Sequence, residues 1–326
     1  MDRGINGMQE LIDSASLGWD PQGLARVVAF AASHDTAQLV IRHKAGVLAA
    51  ADFVHQPLDV FAVQKGLVAI LVGMAQEKGY LEVWDHINHH LHPEWTCLSP
   101  WDEAKLSIET LLTMTTGMDD ELRLQGEINK DWRYNNIAYG YLKLLLEQAT
   151  GMPLAAITEA WLLQPLGMVK TRWQAREQLL PDGTPITALH TTAADLANLG
   201  LMILQRGEFN GSTVFGEAFF LDEMLKPGSA ANPAWGWLWW NNNQTHFRLP
   251  ATAKRPDRLY AGAPVPTAPA DLFVARGLGE NFLAIVPSLA LVVARTASPA
   301  ARSEPLAFEQ EFWRLLMAAR VVDKLA

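Results

Sequence analysis

The 326-residue chain predicts an α/β (α+β) protein, a mixed, largely antiparallel sheet flanked by helices with a helical unit inserted in its middle. Three observations predict it. Apolar runs joined by turns lie towards both ends, helical periodicity fills the centre, and 49% hydrophobic residues over this length supply a core for about two structural units.

Asp20-Pro21 offers an N-cap with proline in the first turn, and Leu24, Val27, Val28 and Ala31 then recur at helical spacing. Residues 37–41 and 47–50 are apolar runs either side of a turn at 43–46, the pattern of a β-hairpin. A buried helix over 62–78 follows, stopped by Gly79 where a left-handed cap is favoured. Residues 107–207 read as mainly helical, most clearly at 136–149 and 192–206, the latter opened by Thr192 and Asp195 in a capping-box-like pair. Asp182-Gly183 reads as a turn and 261–270 (AGAPVPTAPA) as a surface loop. After Trp235 strand character returns, and 281–286 with 289–293 across Pro287-Ser288 form a second hairpin. Ser303-Glu304-Pro305 starts a final amphipathic helix carrying Leu306, Phe312, Trp313 and Leu316. The units are therefore 1–60 with 230–326, containing the sheet, and 61–229, mainly helical, with a cleft at their junction.

Lys+Arg total 26 against 35 Asp+Glu, a net charge of −9, and no long basic run is present. That argues against a nucleic-acid groove, whose affinity rests on neutralised phosphates. One cysteine, Cys97, forms no internal disulfide and no zinc site by itself, so it reads as a lone thiol in a reducing or disulfide-indifferent compartment. The N-terminus lacks a secretory pattern, and the most apolar run, 66–75, is shorter than the roughly 20 residues a bilayer requires. No membrane partner is expected, and the expected location is cytoplasmic, or periplasmic if a leader has been trimmed. His86, His89, His90 and His92 are close in sequence, but Pro93 breaks the register that would converge their rings, so neither a metal nor a cofactor is expected.

Lys65 stands among apolar residues where an extended run meets a helix start, and position 62 lies one turn before it on the same face. A serine at 62 would place its oxygen beside the amine and near the positive end of the helix dipole. This chain has Ala62.

These residues resemble the first motif, Ser-x-x-Lys, of the serine β-lactamase and penicillin-binding-protein-like hydrolases, here Ala62-Val63-Gln64-Lys65. The second motif, Tyr-x-Asn, resembles Tyr134-Asn135-Asn136, and the nearest match to the third is Gly277-Leu278-Gly279-Glu280-Asn281. The cationic or histidine first position of that third motif is absent unless Arg276 substitutes for it. Within the group the chain most resembles the class C-type branch of esterases and 6-aminohexanoate-dimer hydrolases. Stretches at 106–118, 162–173, 189–207 and 235–240 extend the likeness over nearly the whole chain.

The resemblance implies a β-lactamase/transpeptidase-like fold whose inserted domain is all-helical. It implies acyl transfer through a covalent acyl-enzyme on a small ester or amide, β-lactams and D-amino-acid peptides included. A serine at 62 would attack, with Lys65 and Tyr134 sharing its proton. Asn136 would hold the lysine or a substrate amide, and the Gly277, Leu278, Gly279 and Glu280 edge would bind substrate and give an oxyanion donor at Glu280 beside that of residue 62. Alanine cannot attack. Either a serine has been deliberately replaced, which the retention of Lys65 and Tyr134 favours, or the chain is a natural pseudoenzyme that binds an acyl or peptide ligand. An acyltransferase of the same fold is the third reading. Of Trp235, Trp237, Trp239 and Trp240, which alternate as in a strand, two should face the core and the others could line an acyl pocket or a homodimer contact, core packing being the preferred reading. His190 reads as a structural residue ahead of a capped helix.

Overall fold

The computed structural model describes residues 11–252, 255–298 and 306–321. Helix α1 (Pro21–Ala32) starts where Asp20 accepts the N–H groups of Gln22 and Gly23. Strands β1 (Thr36–His43) and β2 (Gly46–Asp52) form the first hairpin, each longer than its apolar run. After the short β3 (Leu58–Asp59), a 3₁₀ turn at Phe61–Val63 leads into α2 (Gln64–Glu77), buried at every residue from Gln64 to Ala75. Gly79, at φ +73°, ends it as expected.

In the centre lie α3 (Asn136–Thr150), then β4 (Arg172–Leu179), β5 (Pro185–Thr191) and α4 (Ala193–Leu204). Thr192 caps α4 by accepting the Asp195 N–H. The third part holds β6 (Trp240–Asn241), β7 (Phe273–Gly277), β8 (Asn281–Val286), β9 (Leu291–Ala297) and α5 (Ala307–Ala318). The expected start of that last helix at 303–305 lies outside the described residues.

The sheet is six-stranded and antiparallel, in the order β2-β1-β9-β8-β7-β6, so strands from the two ends of the chain meet at the β1–β9 pair. Its two faces follow from alternation along β8. Phe282 packs its ring against Phe308 and Phe312 of α5, whereas its neighbour Leu283 and the cross-strand Val292 press on Gly200 of α4. A Cβ at Gly200 would sit 2.5 Å from Val292. Among the described residues, no helix is long and apolar enough to cross a membrane.

Two expectations need correction. The inserted unit is not all-helical, because β3, β5 and β4 form a three-stranded antiparallel sheet and Glu208–Phe209 pairs with Ser212–Thr213. β4 (RWQAREQL) is largely exposed and polar, so it carries no apolar alternation, and its pairing is set instead by the Asp182-Gly183 turn, with Gly183 at φ +87°. The tryptophan stretch is also not a continuous strand. Leu238 sits at φ +62°, only Trp240 joins the ladder, and all four indoles are buried.

Candidate active site

The site forms where the start of α2 meets the end of β7. Asp59 fixes the approach, one carboxylate oxygen accepting the Phe61 N–H at 2.7 Å and the other pairing with Arg176 at 2.5 Å. Phe61 is held at φ +50°, an uncommon conformation for a bulky side chain, immediately before Ala62. Gly277 lies so close to this turn that a Cβ there would fall 2.2 Å from the Val60 carbonyl oxygen and 3.2 Å from the Ala62 nitrogen. Only glycine permits that approach.

Lys65, one turn further along α2, is 3% exposed. Its Nζ donates to Asn136 Oδ1 at 2.8 Å and lies 4.2 Å from the ring centre of Tyr139 and 4.9 Å from that of Tyr134. The opening of α3 places these partners. Asn135 accepts the Ala138 N–H as N-cap and donates to the carbonyls of Met118 and Asp119, so Tyr134 and Asn136 on either side of it are fixed. Burial, then the charges of Lys143 and Arg176, push the Lys65 amine well below its usual range, with Asp120 opposing weakly. Burial raises the Tyr134 and Tyr139 phenols above theirs.

The third wall is the β7–β8 connection, with Gly279 at φ +74° and Glu280 at φ +58°. Arg295, fully buried on β9, clamps it from below by donating to the carbonyls of Gly279 (3.1 Å) and Glu280 (2.6 Å), and to Thr36 Oγ1 and the His34 carbonyl. Asn281 adds a bond to the Leu278 carbonyl at 2.6 Å. Ala62, Lys65, Tyr134, Asn136, Gly277, Leu278, Gly279 and Glu280 thus border one cavity of about 780 Å³. The named catalytic and substrate-binding candidates border this one cavity, while Asn281 of the third motif does not.

Several neighbours escaped the sequence reading. Lys143 lines the same cavity, and its Nζ donates to Gln64 Oε1 (2.7 Å), the Thr187 carbonyl (2.8 Å) and Thr187 Oγ1 (3.1 Å). Burial and Arg176 push this amine down to about 7. The signal was available, since Lys143 is seven residues beyond Asn136 and so two turns along the same helix face. Tyr139, Trp173 and Arg176 also line the cavity. Arg276 reaches it too, but its Nε is bonded to Glu309 Oε1 of α5 at 2.7 Å. It therefore enters the wall as half of a buried ion pair.

His190 pairs across β5 with Asp59 of β3 and does not border the cavity. His90 bonds Asp85 at 2.9 Å, and among the described residues no three His, Cys, Asp or Glu side chains are grouped to hold a metal. Cys97 is exposed and outside the cavity. Of the four tryptophans only Trp240 borders it, while Trp235 and Trp239 donate to the buried carbonyls of Leu112 and Gly66.

The family model for Beta-lactamase matches residues 25–305. The chain belongs to the Beta-lactamase family. No curated protein matches it. Among solved structures it is similar to a D-alanine carboxypeptidase AmpC from Burkholderia cenocepacia, at 16% identity and TM-score 0.66, covering 94% of this chain and 100% of that one. It is also similar to a beta-lactamase from Mycobacterium bovis, at 16% identity and TM-score 0.65, covering 90% and 97%. A third is EstCE1, a hydrolase with promiscuous acyltransferase activity, at 15% identity and TM-score 0.64, covering 93% and 99%. At these identities the structural likeness speaks for the fold, which is the family's hydrolase fold.

Proposed function

We propose that the cavity is an acyl-transfer site for a small ester or amide, and that Ala62 leaves this chain able to bind such a ligand without forming an acyl-enzyme. The observation that carries this reading is the convergence of the Lys65 amine, Asn136 and Tyr134 one turn below Ala62, at the bond of 2.8 Å between Lys65 and Asn136.

Burial acts oppositely on the two titrating groups. A desolvated amine sheds its proton and a desolvated phenol keeps it, so Lys65 is suited to be the base and Tyr134 the acid. With serine at 62, Oγ would attack the carbonyl carbon while Lys65 takes its proton. The oxyanion would lie against the backbone N–H groups of residues 62 and 280. Collapse would expel the leaving group, protonated by Tyr134, and water would release the acyl group by the reverse proton route. Asn136 holds the lysine throughout. Ala62 removes the first step and leaves the walls intact, so binding outlasts turnover.

The test is Ala62→Ser, incubated with p-nitrophenyl esters and a chromogenic cephalosporin. The expected result is a gain in mass equal to the acyl group on the peptide at residue 62, with repeated release of the chromophore, while the Ala62 protein shows neither an adduct at residue 62 nor turnover. A folded Ala62→Ser variant that none of these reagents acylates would overturn the reading.

A further inference from the structure

We propose that, with alanine at position 62, the nucleophile of this cavity is the Lys65 amine itself, and that it takes a small aldehyde or ketone as a reversible imine. This goes beyond the acyl-transfer reading and requires no residue other than those present.

The side chains bordering the cavity that carry an amine or hydroxyl are Lys65, Lys143, Tyr134, Tyr139, Thr184, Thr187 and Thr252, with no cysteine or histidine among them. Burial keeps both phenols protonated, and the Thr187 hydroxyl is tied to Lys143 at 3.1 Å. The two amines differ in how they are held. Lys143 is engaged at three points within 3.1 Å, by Gln64 Oε1, the Thr187 carbonyl and the Thr187 hydroxyl, so its nitrogen is occupied by protein partners. Lys65 has one acceptor, Asn136 Oδ1, and two aromatic rings, and among the described residues no carboxylate pairs with it. Its lone pair can therefore be free. Ala62 borders the same cavity and carries only a methyl group.

The ionisable and charged groups facing Lys65 are Tyr134 before α3, Tyr139 and Lys143 on α3, Arg176 on β4, whose charge Asp59 shares, and Asp120 in the loop after Met118. The two nearest cations oppose protonation of Lys65, and Lys143 does so across the Tyr139 ring, 5.3 Å from one amine and 4.2 Å from the other. A desolvated lysine beside a second cation is an activated amine nucleophile. Lys143 is its positioning residue.

The step balances without a further reagent. The Lys65 lone pair forms a C–N bond to the carbonyl carbon, and the carbonyl π pair moves to oxygen. Both amine hydrogens leave with that oxygen as water, the Tyr134 proton assisting its departure, and the C=N bond forms. An ester would acylate Lys65 to a permanent amide with loss of alcohol, whereas an imine is undone by water. The reversible ligand class is thus the aldehyde or ketone.

The Ala62 protein, as it exists, is treated with 4-nitrobenzaldehyde and sodium cyanoborohydride at about pH 6.5, and the reduced adducts are located by peptide mass mapping. At that pH an ordinary lysine is neutral in only about one molecule in 10,000, so Lys65 should be labelled at least about ten-fold faster than exposed Lys44 and Lys170. Lys65→Arg should remove that adduct and leave those on Lys44 and Lys170. Lys143→Met should slow Lys65 labelling and move its pH midpoint upward, and Lys143→Arg should restore both, with melting curves confirming that each variant is folded. Lys65 labelled no faster than the exposed lysines, or an adduct on Lys143 in its place, would overturn the proposal. An unchanged midpoint in Lys143→Met would overturn the role of Lys143. The outcome is independent of whether Ala62→Ser acylates, so the two readings fail separately.

Discussion

Replacing Lys143 by methionine should change the way stability depends on pH. The folded protein holds this amine at about 7, against 10.5 when exposed. Between those values the unfolded chain binds a proton that the folded chain does not, so unfolding becomes harder as pH rises, at up to about 1.4 kcal/mol per pH unit. Integrated over the window, the burial of this one amine is worth about 5 kcal/mol. Its three acceptors hold the charged form and reduce that figure, so a gain of about 2–5 kcal/mol between pH 7 and 10 is expected from Lys143. The sign follows from the lowered value: stability is least where both states are protonated, below about 7, and greatest near 10. Lys65, also lowered, adds a contribution of the same sign. The raised phenols of Tyr134 and Tyr139 act only above about 10, where the unfolded tyrosines ionise first and stability falls again. Urea midpoints at pH 7, 8 and 9 for the native chain and Lys143→Met, with m-values compared, read the slope directly. The variant should show a flatter rise, and parallel lines for the two proteins would refute the burial argument.

Two further substitutions address the walls. Gly277→Ala forces a Cβ within 2.2 Å of the Val60 carbonyl oxygen, a backbone atom that cannot rotate away, and should cost about 1–3 kcal/mol in thermal melting. In an Ala62→Ser background it should lower acylation beyond that loss, since the same contact sets the spacing between residue 62 and the β7–β8 corner. Arg295→Met strands four buried or part-buried acceptors, the carbonyls of His34, Gly279 and Glu280 and the Thr36 hydroxyl, and should cost about 3–5 kcal/mol by chemical denaturation. Unchanged stability would show that the corner holds its shape without the clamp.

What the sequence disclosed about the fold was what apolar periodicity and punctuation encode. The α1 cap, both hairpins, and the α2 stop at Gly79 lie where Asp20, the turn residues and the glycine placed them. β4 was illegible because its alternation is polar on a largely exposed strand, and its partner is fixed by a turn and by β3 from far along the chain. The Trp235 to Trp240 stretch misled for the opposite reason: alternate large residues imitate a strand, while the positive φ at Leu238 folds the segment so that every indole is covered. Within the site, Lys65, Tyr134 and Asn136 were found because short spacings carry them. Lys143 touches Gln64, 79 residues away, and Arg295 touches His34, 261 residues away. The Arg295 contact has no local signature, since it arises only when the sheet closes the two ends of the chain together, whereas Lys143 carried one in its spacing from Asn136.

The buried lysines bear on what Ala62 means for this chain. A buried amine is costly, and apolar residues of similar volume at such positions are often neutral or stabilising. Lys65 is tolerated with a single polar acceptor, and Lys143 adds a second amine whose charge makes the first harder still to protonate. Stability alone therefore gives no reason for the pair. What the pair does provide is a proton-accepting amine facing a proton-retaining phenol, both set by one desolvated cavity and neither dependent on an oxygen at position 62. On the proposed reading, alanine at that point precludes an acyl-enzyme there but leaves the Lys65 amine in place. If the site were a relic with no chemistry, Lys65→Met together with Lys143→Met should stabilise the protein and leave ligand and carbonyl binding as they were. If the amines carry the chemistry, the double variant should be as stable or more so and should lose the fast imine trapping in the cleft, keeping only the slow adducts on exposed lysines, a combination that no purely structural role for the two lysines produces.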